Sequence, residues 1–164
     1  MNIPIKYLPY RLSSKDKKTQ IKMLQKSRKL YKKNKYYTRK KVASYTSKKS
    51  KHIINARKLY NIDSILPSNE LSKATGCSID SLNQIVKKGE GAYYSSGSRP
   101  NQTARSWGLA RLASAISGGK SAAVDFNILE KGCNHNKRAF ILAKQSRKKH
   151  GHGKHGVPKI KIQN

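Results

Sequence analysis

An all-α fold is what this sequence predicts, with a small compact helical core and extended basic N- and C-terminal arms. Three observations carry that prediction. Apolar residues recur at three- and four-residue spacing in several stretches bounded by Ser caps and Gly or Asn stops, and no strand–helix–strand rhythm intervenes. Only 35% of the 164 residues are apolar, which limits the core to a small one. Charge is also unevenly divided. Residues 1–60 hold 20 Lys/Arg and a single acid, Asp16, for +19; residues 61–135 come to +2 and residues 136–164 to +9. The implied organisation is a Lys/Tyr-rich N-terminal arm over 1–60 with one or two helices, a compact core over 61–135 with a polar loop at 89–105, and a basic helix and tail over 136–164.

Taken in order, Ser13 or Ser14 caps a first helix with Asp16 in its first turn. Ile21, Leu24 and Tyr31 share one face, Lys and Arg surround the rest, and Asn34 ends it. A second helix over 49–60 groups Ile53, Ala56 and Tyr60. Pro67 breaks the chain, Ser68 caps a short helix through Ala74, and Gly76 supplies a left-handed stop. Ser78 caps a helix over 79–88 that ends at Gly89. Residues 89–105 are too rich in Gly, Ser and Pro for a helix. Ser106 caps the next, with Leu109, Leu112, Ala113 and Ile116 as its stripe, up to Gly118-Gly119. Residues 121–131 form one more helix with Val124, Ile128 and Leu129 inward, and 136–149 a final basic one. The tail is irregular, or a short edge strand at its Lys/Ile alternation.

The chain carries 37 Lys+Arg against 7 Asp+Glu, a net charge of +30. A free protein so charged repels itself, so an anionic partner is expected. The densest stretch, KLYKKNKYYTRKK, and its basic surroundings make Lys29, Lys32, Lys33, Lys35, Arg39, Lys40, Lys41, Lys48, Lys49 and Lys51 the expected polyanion-binding residues. Lys148 and Lys149 join them from the C-terminal helix. Each neutralises one phosphate and releases counterions. A Lys-heavy arm suits nonspecific neutralisation, because bidentate base readout prefers Arg. Tyr31, Tyr36 and Tyr37 are placed either to stack on bases or to lie on a protein surface. Nucleic acid, anionic lipid headgroups and acidic protein surfaces all fit.

Residues 68–88 have helix-turn-helix spacing, with Leu71, Gly76, Cys77, Leu82 and Ile85 at its apolar and turn positions. Asp80 on the would-be reading face is repelled by phosphate, which favours an ordinary helical corner. The loop segment reads first as a structural loop that docks Trp107 and Tyr93/Tyr94 into the core. It reads next as a docking surface for another protein through Tyr93, Tyr94, Ser95, Ser96, Arg99, Asn101, Gln102, Thr103 and Trp107. It matches no nucleotide-binding fingerprint. His150, His152 and His155 lie in a Gly/Lys tail near Cys133 and His135, without paired ligand spacing, so no metal is expected. No catalytic constellation, cofactor or small-molecule substrate is indicated. Cys77 and Cys133 are read first as two buried thiols, with a single bridge as the alternative. The opening MNIPIKYLPYRL lacks an apolar stretch, so no secretory signal is expected.

The run AYYSSGSRPNQT followed by SWGLARLAS, within Lys87 to Cys133, resembles an uncharacterised domain family of large DNA viruses. The basic leader before it is similar to that of viral members. The resemblance implies no activity. It implies a viral setting, with synthesis in the host cytoplasm, and a virion component; together with the charge division, the expected role is a non-enzymatic minor structural protein of a large icosahedral DNA virus. Its core would dock on other capsid proteins while its arms anchor to neighbours, genome or inner membrane. The alternative is a virion protein that binds or condenses nucleic acid through phosphate contacts.

Overall fold

Ser13 accepts a hydrogen bond from the Asp16 backbone N–H at 3.1 Å, and helix α1 (Ser14–Tyr31) begins there. The computed structural model, which describes residues 1–153 and 156–163, places seven further helices. They are α2 (Lys51–Tyr60), α3 (Asn69–Thr75), α4 (Ile79–Ser95), α5 (Ala104–Ile116), α6 (Lys120–Val124), α7 (Phe126–Gly132) and α8 (Arg138–His150). Strands β1 (Asn2–Pro4) and β2 (Lys159–Lys161) pair antiparallel, with Ile3 opposite Ile160. The fold is mostly α, and the Lys/Ile alternation near the C-terminus is a short strand.

Extended basic arms are not what the chain forms. It divides into two compact units, each assembled from segments distant in sequence. The first combines Met1–Lys48, Glu90–Trp107 and Gly156–Asn164; the second combines Lys49–Gly89 and Gly108–His155. This replaces the expected partition at residues 60 and 135. It also redistributes the charge. The first unit holds 20 Lys/Arg against Asp16 and Glu90, for +18, and the second comes to +12. Neither is the neutral core expected from the linear count.

The first unit has two apolar clusters. Ile3, Tyr7, Leu8 and Leu24 form one, with Trp107 packed against it. Leu12, Met23 and Val42 form the other, flanked by Tyr37 and Tyr45. The N-terminal segment is buried here because its apolar residues find α1's inner face.

The second unit packs Leu71, Leu82, Ile85, Leu112, Ile116, Leu129 and Phe140 into one core. Its local caps are those expected: Ser68 accepts from the Leu71 N–H, and Gly76 takes a left-handed φ of 76°. Two expectations fail in instructive ways. Gly89 does not stop α4, because its role is to let helices approach: a Cβ there would stand 2.6 Å from the Gly108 Cα. The single helix expected over 121–131 is broken at Asp125, a buried carboxylate held by Arg111 Nε at 2.7 Å, Arg111 Nη2 at 2.8 Å and Lys88 at 3.2 Å. The break turns Val124 outward to 42% exposure rather than inward. Cys77 and Cys133 are disulfide-bonded rather than free. The backbone bonds from Ser78 N–H to Gly132 and from Asn134 N–H to Gly76, both 2.8 Å, bring the two segments together.

Burial pushes the Tyr60 hydroxyl, which donates to the Ile116 carbonyl, well above its ordinary value of 10.0. The unfolded chain therefore loses this proton first. The stabilisation is complete below about pH 10 and is lost progressively as pH rises beyond it. Urea melts at increasing alkaline pH should show the wild type losing stability faster than Tyr60→Phe. Parallel decline of the two would remove Tyr60 as a source of alkaline sensitivity.

Candidate polyanion interface

Along α1, Lys15, Lys18, Lys22, Lys26 and Lys29 follow one another at three- or four-residue intervals and are all exposed. That spacing puts them on one helix face. Gln20, Met23, Leu24 and Ser27 are the helix's buried residues. From Lys15 to Lys29 the stripe runs about 21 Å at the usual helical rise. None of these lysines is in an ion pair among the described residues; the three such pairs involve Lys88, Arg105 and Arg111. The helix's one acid, Asp16, is spent elsewhere. The Ser44 hydroxyl and N–H bond it at 2.6 and 2.8 Å and hold its carboxyl below the usual range.

Local structure accounts for the two C-terminal members, Lys29 through the helix dipole and Lys26 through the Tyr37 ring, and not for the rest of the stripe. Like charges one turn apart destabilise a helix by roughly 0.2–0.5 kcal/mol per pair. Lys15, Lys17 and Lys18 near the N-terminus also oppose the helix dipole. Period-3.6 lysine spacing marks the stripe in the sequence, where the denser Lys/Tyr run downstream outweighs it. Of the expected members, Lys29, Lys32, Lys33, Lys35, Lys40, Lys41 and Lys48 are exposed in the first unit. Lys49, Lys51, Lys148 and Lys149 are exposed in the second. Lys148 and Lys149 have a structural reason, since cations in the last turn of α8 complement its dipole.

Arg39 is a correction. It is 7% exposed and faces inward. Its Nη1 donates to Ser27 Oγ at 3.1 Å and to the Tyr93 carbonyl at 2.9 Å, its Nη2 donates to Ser98 Oγ at 2.8 Å, and its guanidinium lies 3.8 Å from the Tyr93 ring centroid. Burial lowers its pKa, with the neighbouring Tyr93 opposing the shift. A charge so enclosed reaches no phosphate; it ties the irregular 35–50 segment to the rest of the unit.

The expected docking loop is also turned to internal use. Residues 89–95 are helical, Tyr93 and Ser98 are fully buried, and Tyr93 Oη accepts from the Arg39 N–H at 3.0 Å. Gly97 has φ 120°, and a Cβ there would meet Leu24 at 2.6 Å. Asn101, at φ 60°, accepts from the Val42 N–H at 2.7 Å and donates to the Val42 and Tyr45 carbonyls. Gln102 donates to Ser47, and Trp107 packs edge-on to Tyr7 at 6.0 Å. Thr103 caps α5 by accepting from the Ser106 N–H, so the cap lies three residues before the expected one. Ser95, Ser96 and Arg99 have exposed side chains, with the Ser96 carbonyl taken by Arg28 at 2.7 Å. Tyr94 is half-buried in a ring series with Tyr36.

In the helix-turn-helix-like stretch, Ser81 is buried, and Gln84 donates to Asp80 at 2.8 Å within α4. His135 stacks on Phe140 at 3.9 Å, and Cys133, being oxidised, offers no thiolate to a metal. His155 lies outside the described residues.

The described surface is therefore that of a mostly helical, strongly basic protein with an unpaired lysine face. By sequence the chain belongs to a family of unknown function, DUF5824, whose profile matches residues 4–137. No curated protein and no solved structure matches it.

Proposed function

We propose that this protein is a non-enzymatic, sequence-nonspecific nucleic-acid-binding protein that contacts phosphates through the α1 lysine face. The observation that carries this reading is the stripe Lys15, Lys18, Lys22, Lys26 and Lys29, free of carboxylate partners. Its length, about 21 Å, faces on the order of a dozen duplex phosphates at one charge per about 1.7 Å. A straight row of cations suits a linear polyanion. Insertion into a membrane surface would need apolar residues flanking the row, and Met23 and Leu24 of α1 are buried. The capsid-docking role implied by the resemblance draws less support, because Tyr93, Ser98 and Asn101 are engaged in holding residues 39–45. The viral setting remains an expectation of the resemblance.

The test is a titration of the intact chain with random-sequence DNA duplexes across a salt series. Log K should fall linearly with log salt, at about 0.9 per phosphate neutralised, and similarly for all sequences. A flat salt dependence, or binding confined to one sequence, would overturn the proposal.

A further inference from the structure

At the end of α1 the chain reverses. Asn34 adopts a left-handed φ of 57°, its N–H bonds the Tyr31 carbonyl at 3.0 Å, and the Lys35 N–H bonds the Leu30 carbonyl at 3.0 Å. This turn returns Tyr36 to the side of Tyr31, with ring centroids 6.1 Å apart at 64°. Tyr36 then meets Tyr94 at 5.0 Å and 61°, and Tyr94 meets Tyr93 at 5.0 Å and 89°. Tyr93 is buried beneath the Arg39 guanidinium. The result is an edge-to-face series rooted in the protein interior at Tyr93, in which Tyr36, 70% exposed, stands between Tyr94 and Tyr31.

An exposed tyrosine is ordinarily mobile. This one is held on two sides, so a ligand that stacks on its open surface loses little side-chain entropy. Lys29, Lys32, Lys33 and Lys35 are exposed around it in sequence, and no acid occurs between Asp16 and Asp63. Glu90, one turn before Tyr94, pairs with Arg105 at 3.6 Å. Tyr37, a neighbour expected to share the role, is half-buried beneath Lys26 at 4.4 Å, and Tyr94 stands in its place. Aromatic faces among unpaired lysines recognise bases that are free to leave a stack, with phosphates alongside. Duplex bases are already stacked and cannot reach Tyr36.

We propose that Tyr36, supported by Tyr31 and Tyr94, is a stacking platform for unpaired nucleobases, so that single-stranded nucleic acid is the preferred ligand of this basic surface. This deepens the phosphate-binding reading and rests on it. The experiment compares oligo(dT), a DNA duplex of equal length and inorganic polyphosphate as ligands for the wild type, Tyr36→Ala and Tyr36→Phe. Circular dichroism melts check the fold of each. Tyr36→Ala should weaken oligo(dT) binding about tenfold, leave duplex and polyphosphate within about twofold, and be rescued by Tyr36→Phe. The platform is overturned if oligo(dT) affinity is unchanged, or if all three ligands weaken equally, while salt-dependent duplex binding persists. Failure of every ligand to bind the wild type in a salt-dependent way would instead remove the phosphate-binding reading beneath it. Phosphatidylserine vesicles are titrated in parallel; loss of binding by Tyr36→Ala confined to them would assign the residue to a lipid surface and also overturn the proposal.

Discussion

Replacing Lys15, Lys18, Lys22, Lys26 and Lys29 together by Gln should lower duplex affinity at physiological salt by about three orders of magnitude. It should also reduce the salt slope by about 4 to 5, because each contact contributes close to 0.9. The same variant should fold at least as stably as the wild type. Four adjacent like-charge pairs at three- and four-residue spacing are relieved, each by roughly 0.2–0.5 kcal/mol. The unfavourable cations near the α1 N-terminus are reduced. The counterweights are the cation–π contact of Lys26 with Tyr37 at 4.4 Å, worth about 0.5–1 kcal/mol, the attraction of Lys15 for Asp16, and Lys29 in the last turn of α1. Weaker binding combined with undiminished stability is the mark of a surface kept for a ligand. A variant that binds duplex unchanged, or that melts lower, would show the stripe to be a solvated or structural face.

Arg39→Ala should destabilise the first unit by about 3–4 kcal/mol, the cost expected when a buried guanidinium with three donated hydrogen bonds is removed and its acceptors lose that donor. The truncation removes three donated hydrogen bonds and the stacking on Tyr93. It leaves the Ser27 and Ser98 hydroxyls and the Tyr93 carbonyl, all in buried residues, without that donor. Arg39→Lys should recover little, because an ammonium cannot reproduce the planar fork that reaches Ser27 and Ser98 at once. Urea unfolding followed by far-ultraviolet circular dichroism measures the difference. A loss below about 1 kcal/mol would return Arg39 to the ranks of surface cations.

The helix ends were legible wherever their cause is local. Ser13, Ser68 and Gly76 cap or stop helices through atoms within four residues of themselves. The apolar faces around Leu82, Leu112 and Leu129 follow from periodicity in the same way. Gly89 was misread as a stop because glycine near a helix end and glycine at a helix crossing are the same letter. Only the Gly108 backbone 2.6 Å from its missing Cβ separates the two. Asp125 broke a predicted helix for a similar reason, since its partners Lys88 and Arg111 come from α4 and α5.

By itself the amino-acid sequence determined that this protein is mostly helical, where most of its helices begin and end, and that it is strongly basic. Caps, periodicity and net charge are properties of neighbouring residues or of the whole composition, and neither depends on the path of the chain. Tertiary structure alone decided which basic and aromatic groups face outward. Arg39 and Tyr93 are 54 residues apart in sequence and bonded in space. Tyr36 and Tyr94 share one series of rings, while Tyr37 turns inward. Within a Lys/Tyr-rich run, composition treats such residues as equivalent. Burial against a distant segment removes some from water and leaves others exposed.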